Sequence, residues 1–275
     1  MTIAEAAPAK LNLALHVTGQ RADGYHLLDS LVVFAAAGDL VRLDPGPLSL
    51  RIDGQFGAGL SVEENLCLDA ARLAGAEAAI TLTKNLPVAS GIGGGSADAA
   101  AVLRGLARRG TPLPDRPERL GADVPVCVVS EPRRMRGVGE VLDPVPALPD
   151  LHLVLINPGV GISTPQIFKA LDRKDNPPLP PLPDSFDLGA LVDYLQLCRN
   201  DLQAPAVALC PQIGDVLTAL QDEGALLARM SGSGATCFGI FPDAATAGLA
   251  AYRIGTGPVD WWITATGLAA PPAPF

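Results

Sequence analysis

The segment Leu86-Pro-Val-Ala-Ser-Gly-Ile-Gly-Gly-Gly-Ser-Ala97 sets four glycines within five residues and runs straight into an alanine-rich stretch. Glycines at that density let backbone N–H groups converge on one point with no Cβ in the way. The run from about Ser96 to Arg108 is rich in Ala, Val and Leu and predicts a helix. That helix would open with its positive dipole end facing whatever the loop holds. Ser96 has two uses at such a place: its hydroxyl caps the helix, or it turns to a phosphate or a Mg²⁺ ion. A phosphate ligand suits these residue types, and a tight strand-to-helix turn holding nothing is the plainer alternative.

Two familiar phosphate loops do not fit. The dinucleotide fingerprint G-x-G-x-x-G follows a first strand; Gly91-Ile-Gly93 begins it, but Ser96 stands at the third glycine position. The P-loop requires a Lys-Ser/Thr pair after its last glycine, whereas Gly95 is followed by Ser96-Ala97. A lysine for the phosphates must come from elsewhere, and the chain has only Lys10, Lys84, Lys169 and Lys174.

The spacing Pro87-x3-Gly91-Ile-Gly93-Gly-Gly-Ser96-Ala97 resembles the central phosphate-binding motif of the GHMP kinases, the superfamily of galactokinase, homoserine kinase and mevalonate kinase. Pro8-Ala-Lys10-Leu-Asn12-Leu resembles the N-terminal motif of that superfamily, and Met230-Ser-Gly232-Ser-Gly234-Ala235 its C-terminal glycine loop. Arg21-Ala-Asp23-Gly-Tyr25-His26, Gly121-Ala-Asp123-Val-Pro125, Asn157-Pro-Gly159 with Thr164-Pro-x-Ile-Phe168-Lys169, and Asn200-Asp-Leu202 are similar to one branch of it. That branch phosphorylates the 2-hydroxyl of a cytidine diphosphate-linked methylerythritol in the non-mevalonate isoprenoid route.

The resemblance implies ATP as co-substrate with Mg²⁺, and a catalytic pair of Asp123 as base and Lys10 as its partner. It gives the ATP phosphates to Pro87, Val88, Ala89, Ser90, Gly91, Ile92, Gly93, Gly94, Gly95, Ser96 and Ala97, closed from the other side by Gly232, Ser233 and Gly234. Ser96 is the one metal-side candidate among these. The acceptor goes to Asn12, Tyr25, His26, Thr164 and Phe168. Physically, Tyr25 offers a flat face to a pyrimidine and His26 a donor or acceptor at its edge. Phe168 would cover the other face of the base. Asp98 is read as a first-turn helix or metal-side acid. Two rival readings stay open: another GHMP small-molecule kinase of the homoserine or mevalonate type, and a nucleotide-binding paralogue without transfer. The departures from the motif are Ala97, where a second serine is common, and the short proline-bearing segment Thr111–Pro117.

Strands that could carry these residues are predicted at Lys10–Val17, Leu48–Ile52, Ala79–Lys84, Leu151–Pro158 and Trp261–Thr266, with a strand, glycine turn and strand over Ala228–Phe241. Helices are predicted at Asn65–Leu73, Leu188–Leu195, Ile213–Gln221 and Ala244–Tyr252. Asp123 is expected in a short loop. Leu142–Asp150 reads as an interdomain connection and Pro177–Pro183 as an exposed loop. The tail from Ala269 is expected to fray. The class is α+β in two domains, 1–148 and 149–275. The resemblance makes the first like ribosomal protein S5 domain 2 and the second ferredoxin-like.

Composition sets outer bounds. The chain has 275 residues, 48% apolar and 18% charged, so it can bury a sizeable core. A net charge of −9 argues against nucleic acid as partner. Five scattered cysteines without a C-x-x-C suggest buried thiols. No run approaches the ~18 apolar residues of a membrane span, and no signal peptide is recognised, so a cytoplasmic protein with no membrane or obligate protein partner is expected.

Overall fold

The computed structural model describes residues 1–257 and 260–274. The chain opens with two long strands, β1 (Ile3–Gln20) and β2 (His26–Asp44), paired antiparallel around the turn at Tyr25. With β3 (Ser49–Asp53), β4 (Ala79–Thr83), β5 (Arg133–Gly137) and β6 (Val141–Pro144) they form a six-stranded sheet in the order β3-β4-β2-β5-β6, with β1 on β2. β3 and β4 are parallel; every other pair is antiparallel. Helices α1 (Leu66–Leu73), α2 (Gly94–Ala107) and α3 (Val124–Val129) pack together, with α2 lying on β1 and β2.

The second sheet runs β10-β7-β9-β8, all antiparallel, from β7 (His152–Asn157), β8 (Leu227–Met230), β9 (Cys237–Phe241) and β10 (Trp262–Thr266). Its helices are α4 (Thr164–Lys169), α5 (Leu188–Leu197), α6 (Gln203–Leu209), α7 (Gln212–Asp222) and α8 (Ala244–Gly255). The architecture is α+β, as expected from the sequence. Among the described residues no helix is long and apolar enough to cross a membrane.

Strand alternation explains how β1 serves two purposes. Ala9, Leu11 and Leu13 face a core shared with Leu153, Leu155, Phe238 and Ile240 of the second sheet. Lys10 and Asn12 point the other way. Leu15 also bridges to Asn200, and Ala35 to Leu268, so the second half of the chain grips both strands of the first hairpin.

Three local expectations are overturned in part. Leu142–Pro144 of the expected connection, with Val141 before it, is a strand, because its backbone pairs with Arg133–Arg136. The Pro177–Pro183 segment is irregular but docked. Leu179 is buried, its N–H donates to Asp29 Oδ2 at 2.9 Å, and Arg134 donates to the Leu179 carbonyl at 2.9 Å while binding Asp29. The tail does not fray through residue 274. The Ala269 N–H donates to Phe34 O, and Arg108 donates to the carbonyls of Ala273 (2.7 Å) and Pro274 (2.9 Å); Phe275 lies outside the described residues. The five cysteines are free and buried, as expected.

Candidate active site

The glycine segment joins β4 to α2, and its conformation explains its composition. Gly93 is the N-cap of α2 with φ 63°, and Gly91 has φ 75°, a left-handed region that L side chains rarely occupy. Space excludes a side chain as well. A Cβ on Gly91 would stand 2.5 Å from the carbonyl oxygen and 2.6 Å from the nitrogen of Gly234. The two glycine loops therefore meet backbone to backbone, although they are far apart in the chain. Ser231 donates its hydroxyl to Gly91 O (3.3 Å) and accepts from the Asn12 N–H (3.1 Å), and the Thr236 N–H donates to Ser90 O (3.1 Å). Asn200 Nδ2 donates to the carbonyls of Met230 (2.7 Å) and Gly232 (2.8 Å), holding the second loop from behind.

Between the loops lies a cleft of about 490 Å³. It is lined by Pro87 to Gly91, Gly93 to Ser96, Gly232 to Gly234 and Thr164, with Lys10 and Asp123. Helix α2 has no side-chain cap, so the N–H groups of Gly94, Gly95 and Ser96 have no partner within the helix. Ser96 does not cap the helix: the helix begins two residues before it, and its hydroxyl lies towards Gly121. Two segment residues turn away from the cleft. Ile92 is buried in the core, its carbonyl accepting from the Lys10 N–H at 2.9 Å. Ala97 is buried beside α1, and its N–H is spent on Gly93 O at 2.8 Å.

Asp123 is not in a plain loop. It is the N-cap of α3, with Pro125 in the first turn, yet its carboxylate makes no capping bond. Instead Oδ2 meets Lys10 Nζ at 2.7 Å, with the lysine side chain 6% exposed and the aspartate 33%. The position of α3 is fixed from its far end by the fully buried Arg104 of α2, which donates to Cys127 O (2.6 Å) and Ala6 O (2.6 Å) and pairs with Glu5. Burial lowers that guanidinium's pKa, and the Glu5 contact works against the shift.

The candidate acceptor residues divide. His26 and Phe168 stack on each other, ring centroids 4.5 Å apart at 21°, so His26 covers one face of the ring that the sequence reading offers to a base. Burial, then the positive charge of Lys174, holds His26 below the ordinary imidazole range, so it is neutral at pH 7. Its Nε2 is buried and has no partner among the described residues. Tyr25 stands 65% exposed on the β1–β2 turn. Thr164, which shares a face of α4 with Phe168, binds the Ser233 hydroxyl at 2.7 Å and lines the cleft. Asn12 is 1% exposed; its Nδ2 donates to Ser30 at 2.7 Å, while Oδ1 has no partner among the described residues.

Comparison with known proteins puts a family to this arrangement. The model for the GHMP kinases N terminal domain matches residues 62–131, and that for GHMP kinases C terminal matches 184–257. A "4-diphosphocytidyl-2-C-methyl-D-erythritol kinase" of Paracoccus denitrificans is 67% identical over 268 residues, covering 96% of each chain. The chain belongs to the 4-diphosphocytidyl-2-C-methyl-D-erythritol kinase branch of the GHMP kinases. A crystal structure of 4-(cytidine 5'-diphospho)-2C-methyl-D-erythritol kinase superposes with TM-score 0.79 at 31% identity, covering 98% of this chain and 100% of that one. A homoserine kinase from Cytophaga hutchinsonii, at TM-score 0.66 and 18% identity over 97% and 95% of the chains, shares the fold. As a GHMP kinase the chain is a small-molecule kinase with ATP as co-substrate.

In this GHMP kinase the sequence reading missed part of the cleft wall. Leu60, Glu64, Asn65, Leu66, Leu82, Lys84 and Ile162 also line it, beside Asp98, which the sequence offered as a helix-start or metal-side acid. Asp98 lies in the second turn of α2, not the first, and pairs with Lys84 at 2.8 Å. The rarity of lysine was a usable pointer to Lys84. Nothing in the spacing pointed to its partners.

Proposed function

We propose that the chain transfers the γ-phosphoryl group of ATP to the 2-hydroxyl of 4-diphosphocytidyl-2-C-methyl-D-erythritol, a step in making isoprenoid precursors by the non-mevalonate route. The observation that carries this reading is the Lys10–Asp123 pair at 2.7 Å in a cleft lined by both glycine loops. The acceptor is chosen on the kinship to 4-diphosphocytidyl-2-C-methyl-D-erythritol kinases. The reading places the reaction in the cytoplasm, with two small molecules as its required partners.

The N–H groups opening α2 take the donor phosphates, and the Ser233 loop closes on them. The acceptor oxygen forms a bond to the γ-phosphorus as the bond from that phosphorus to the bridging β-oxygen breaks, and ADP leaves. The hydroxyl proton passes to Asp123, whose Oδ1 is not the oxygen paired with Lys10. The Lys10 ammonium stays beside the oxygens where negative charge gathers.

Mg²⁺ suits this donor set as an ion carried on the nucleotide. Among the described residues no three His, Cys, Asp or Glu side chains stand together to hold one, while Ser96 lines the cleft. Ser96 would ligate the ion alongside phosphate oxygens and water, and the ion would neutralise phosphate charge. At the acceptor end, Tyr25 supplies an exposed stacking face for the cytosine, with the adjoining His26 stacked on Phe168.

The test is ATP turnover with the cytidylylated methylerythritol, mevalonate and homoserine in parallel. Turnover with the first alone is expected. Turnover with mevalonate or homoserine alone would overturn the choice of acceptor.

A further inference from the structure

Asp39 is a buried carboxylate that neither transfer nor acceptor binding uses. It lies on β2 with its side chain 0% exposed, where an unpaired charge would be very costly. Its Oδ1 accepts from two successive backbone N–H groups, those of Asn85 (2.6 Å) and Leu86 (2.8 Å), at the entry to the glycine loop. Its Oδ2 accepts from the Lys84 ammonium, which donates a second bond to Asp98 Oδ2 on α2 at 2.8 Å. A Cβ on Gly94, the first residue of α2, would lie 3.0 Å from Lys84 Nζ and 3.8 Å from Asp39 Oδ2. One carboxylate thus connects a central strand, the entry of the loop and, through one lysine, the helix at its exit.

Two carboxylates share a single ammonium here, and burial pushes Asp98 up to about 7. Burial alone would depress Lys84, but the Asp98 and Asp39 charges outweigh it and raise the group. Asp98 Oδ1 has no partner among the described residues. Buried ion clusters contribute little net stability compared with apolar packing of the same volume. What this one supplies and apolar side chains could not is two acceptor sites for the loop amides and a cation beneath the start of α2.

We propose that Asp39 is a positioning residue for phosphoryl transfer: it fixes the height of the phosphate loop above the Lys10–Asp123 pair through two loop amides and Lys84. The proposal rests on reading Leu86–Ser96 as the loop that holds the ATP phosphates. Asp39 is sealed from the cleft, so it acts on the nucleotide only through the residues it holds.

Asp39→Asn keeps the shape and one acceptor oxygen but sets an NH₂ donor against the Lys84 ammonium. ATP dissociation constants are expected to rise at least tenfold, with the constant for the cytidylylated acceptor changing less than twofold. A merely structural role would lower the melting temperature and leave both constants of the folded fraction unchanged. Gly93→Val, which puts bulk into the loop itself, is measured alongside and is expected to abolish ATP binding. Normal ATP binding by Gly93→Val overturns the loop reading, and the proposal with it. Loss of binding there, with Asp39→Asn within twofold of the unaltered protein, overturns the positioning proposal alone. Amide hydrogen exchange of the unaltered protein without nucleotide covers the case in which Asp39→Asn does not fold. The Asn85 and Leu86 amides are expected to be strongly protected, and exchange as fast as at exposed Val88 and Ala89 overturns the proposal.

Discussion

The two regions proposed to hold donor and acceptor are built on different plans. The donor end is backbone: Gly91 against Gly234, the unpaired N–H groups opening α2, and behind them the buried Asp39–Lys84–Asp98 cluster. The proposed acceptor end, whose rings are not among the residues that line the cleft, is side chain: Tyr25 on an exposed turn, and His26 leaning on Phe168. The difference follows from what each end must do. A γ-phosphorus must stand within tenths of an ångström of its attack geometry, which buried, doubly anchored backbone achieves. A base need only be selected, and rings on a turn can close over it. The Lys10–Asp123 pair lines the cleft with the glycine loops.

Changes at the donor end should therefore be felt by ATP and by the fold together. Gly91→Ala forces a Cβ to 2.5 Å from a backbone oxygen at φ 75°. It is expected to cost about 2 kcal/mol or more in urea unfolding and to raise the KM for ATP more than tenfold, with the acceptor KM little changed. An equal rise in both KM values would break the division. Tyr25→Ala tests the other end. Losing a stacking face should raise the acceptor KM about 5- to 50-fold, with the ATP KM and the melting temperature unmoved because Tyr25 is 65% exposed. A rise in the ATP KM instead would move Tyr25 to the donor end.

The smallest effect sharpens the contrast in burial. Burial holds Asp98 at about 7 against an ordinary 3.8. Between those values the folded protein keeps a proton that the unfolded chain has released, so this residue's contribution to stability falls as pH rises from about 4 to 7. Asp98→Asn removes that dependence. Its stability relative to the unaltered protein should improve from pH 5 to 7.5, by less than about 1.4 kcal/mol per pH unit. A gap that stays flat would show that Asp98 does not titrate there.

The same division governs what was legible in the sequence. The glycine loops were readable because positive φ and close backbone approach leave glycine few substitutes. Lys10 and Asp123 became readable through motif resemblance, not through their spacing. The Asp39 cluster was not readable, since its members sit on β2, at the end of β4 and in α2, and only the folded sheet brings them together. Val124–Val129 is dominated by valine, which favours strands, yet packing on α2 makes it helical and turns Asp123 from a loop residue into an N-cap. The docked tail escaped notice because Arg108 grips backbone carbonyls, to which side-chain patterns are blind. Thr164, expected at the acceptor, also bonds the Ser233 hydroxyl, a contact that sequence spacing does not show.

The most direct test of transfer at the Lys10–Asp123 pair is a single-turnover experiment on Asp123→Asn, with ATP and the cytidylylated methylerythritol both saturating. The expected result is a transfer rate lower by roughly 10²-fold or more, with both dissociation constants nearly unchanged. A transfer rate close to that of the unaltered protein would contradict Asp123 as the base and place proton acceptance elsewhere in the cleft.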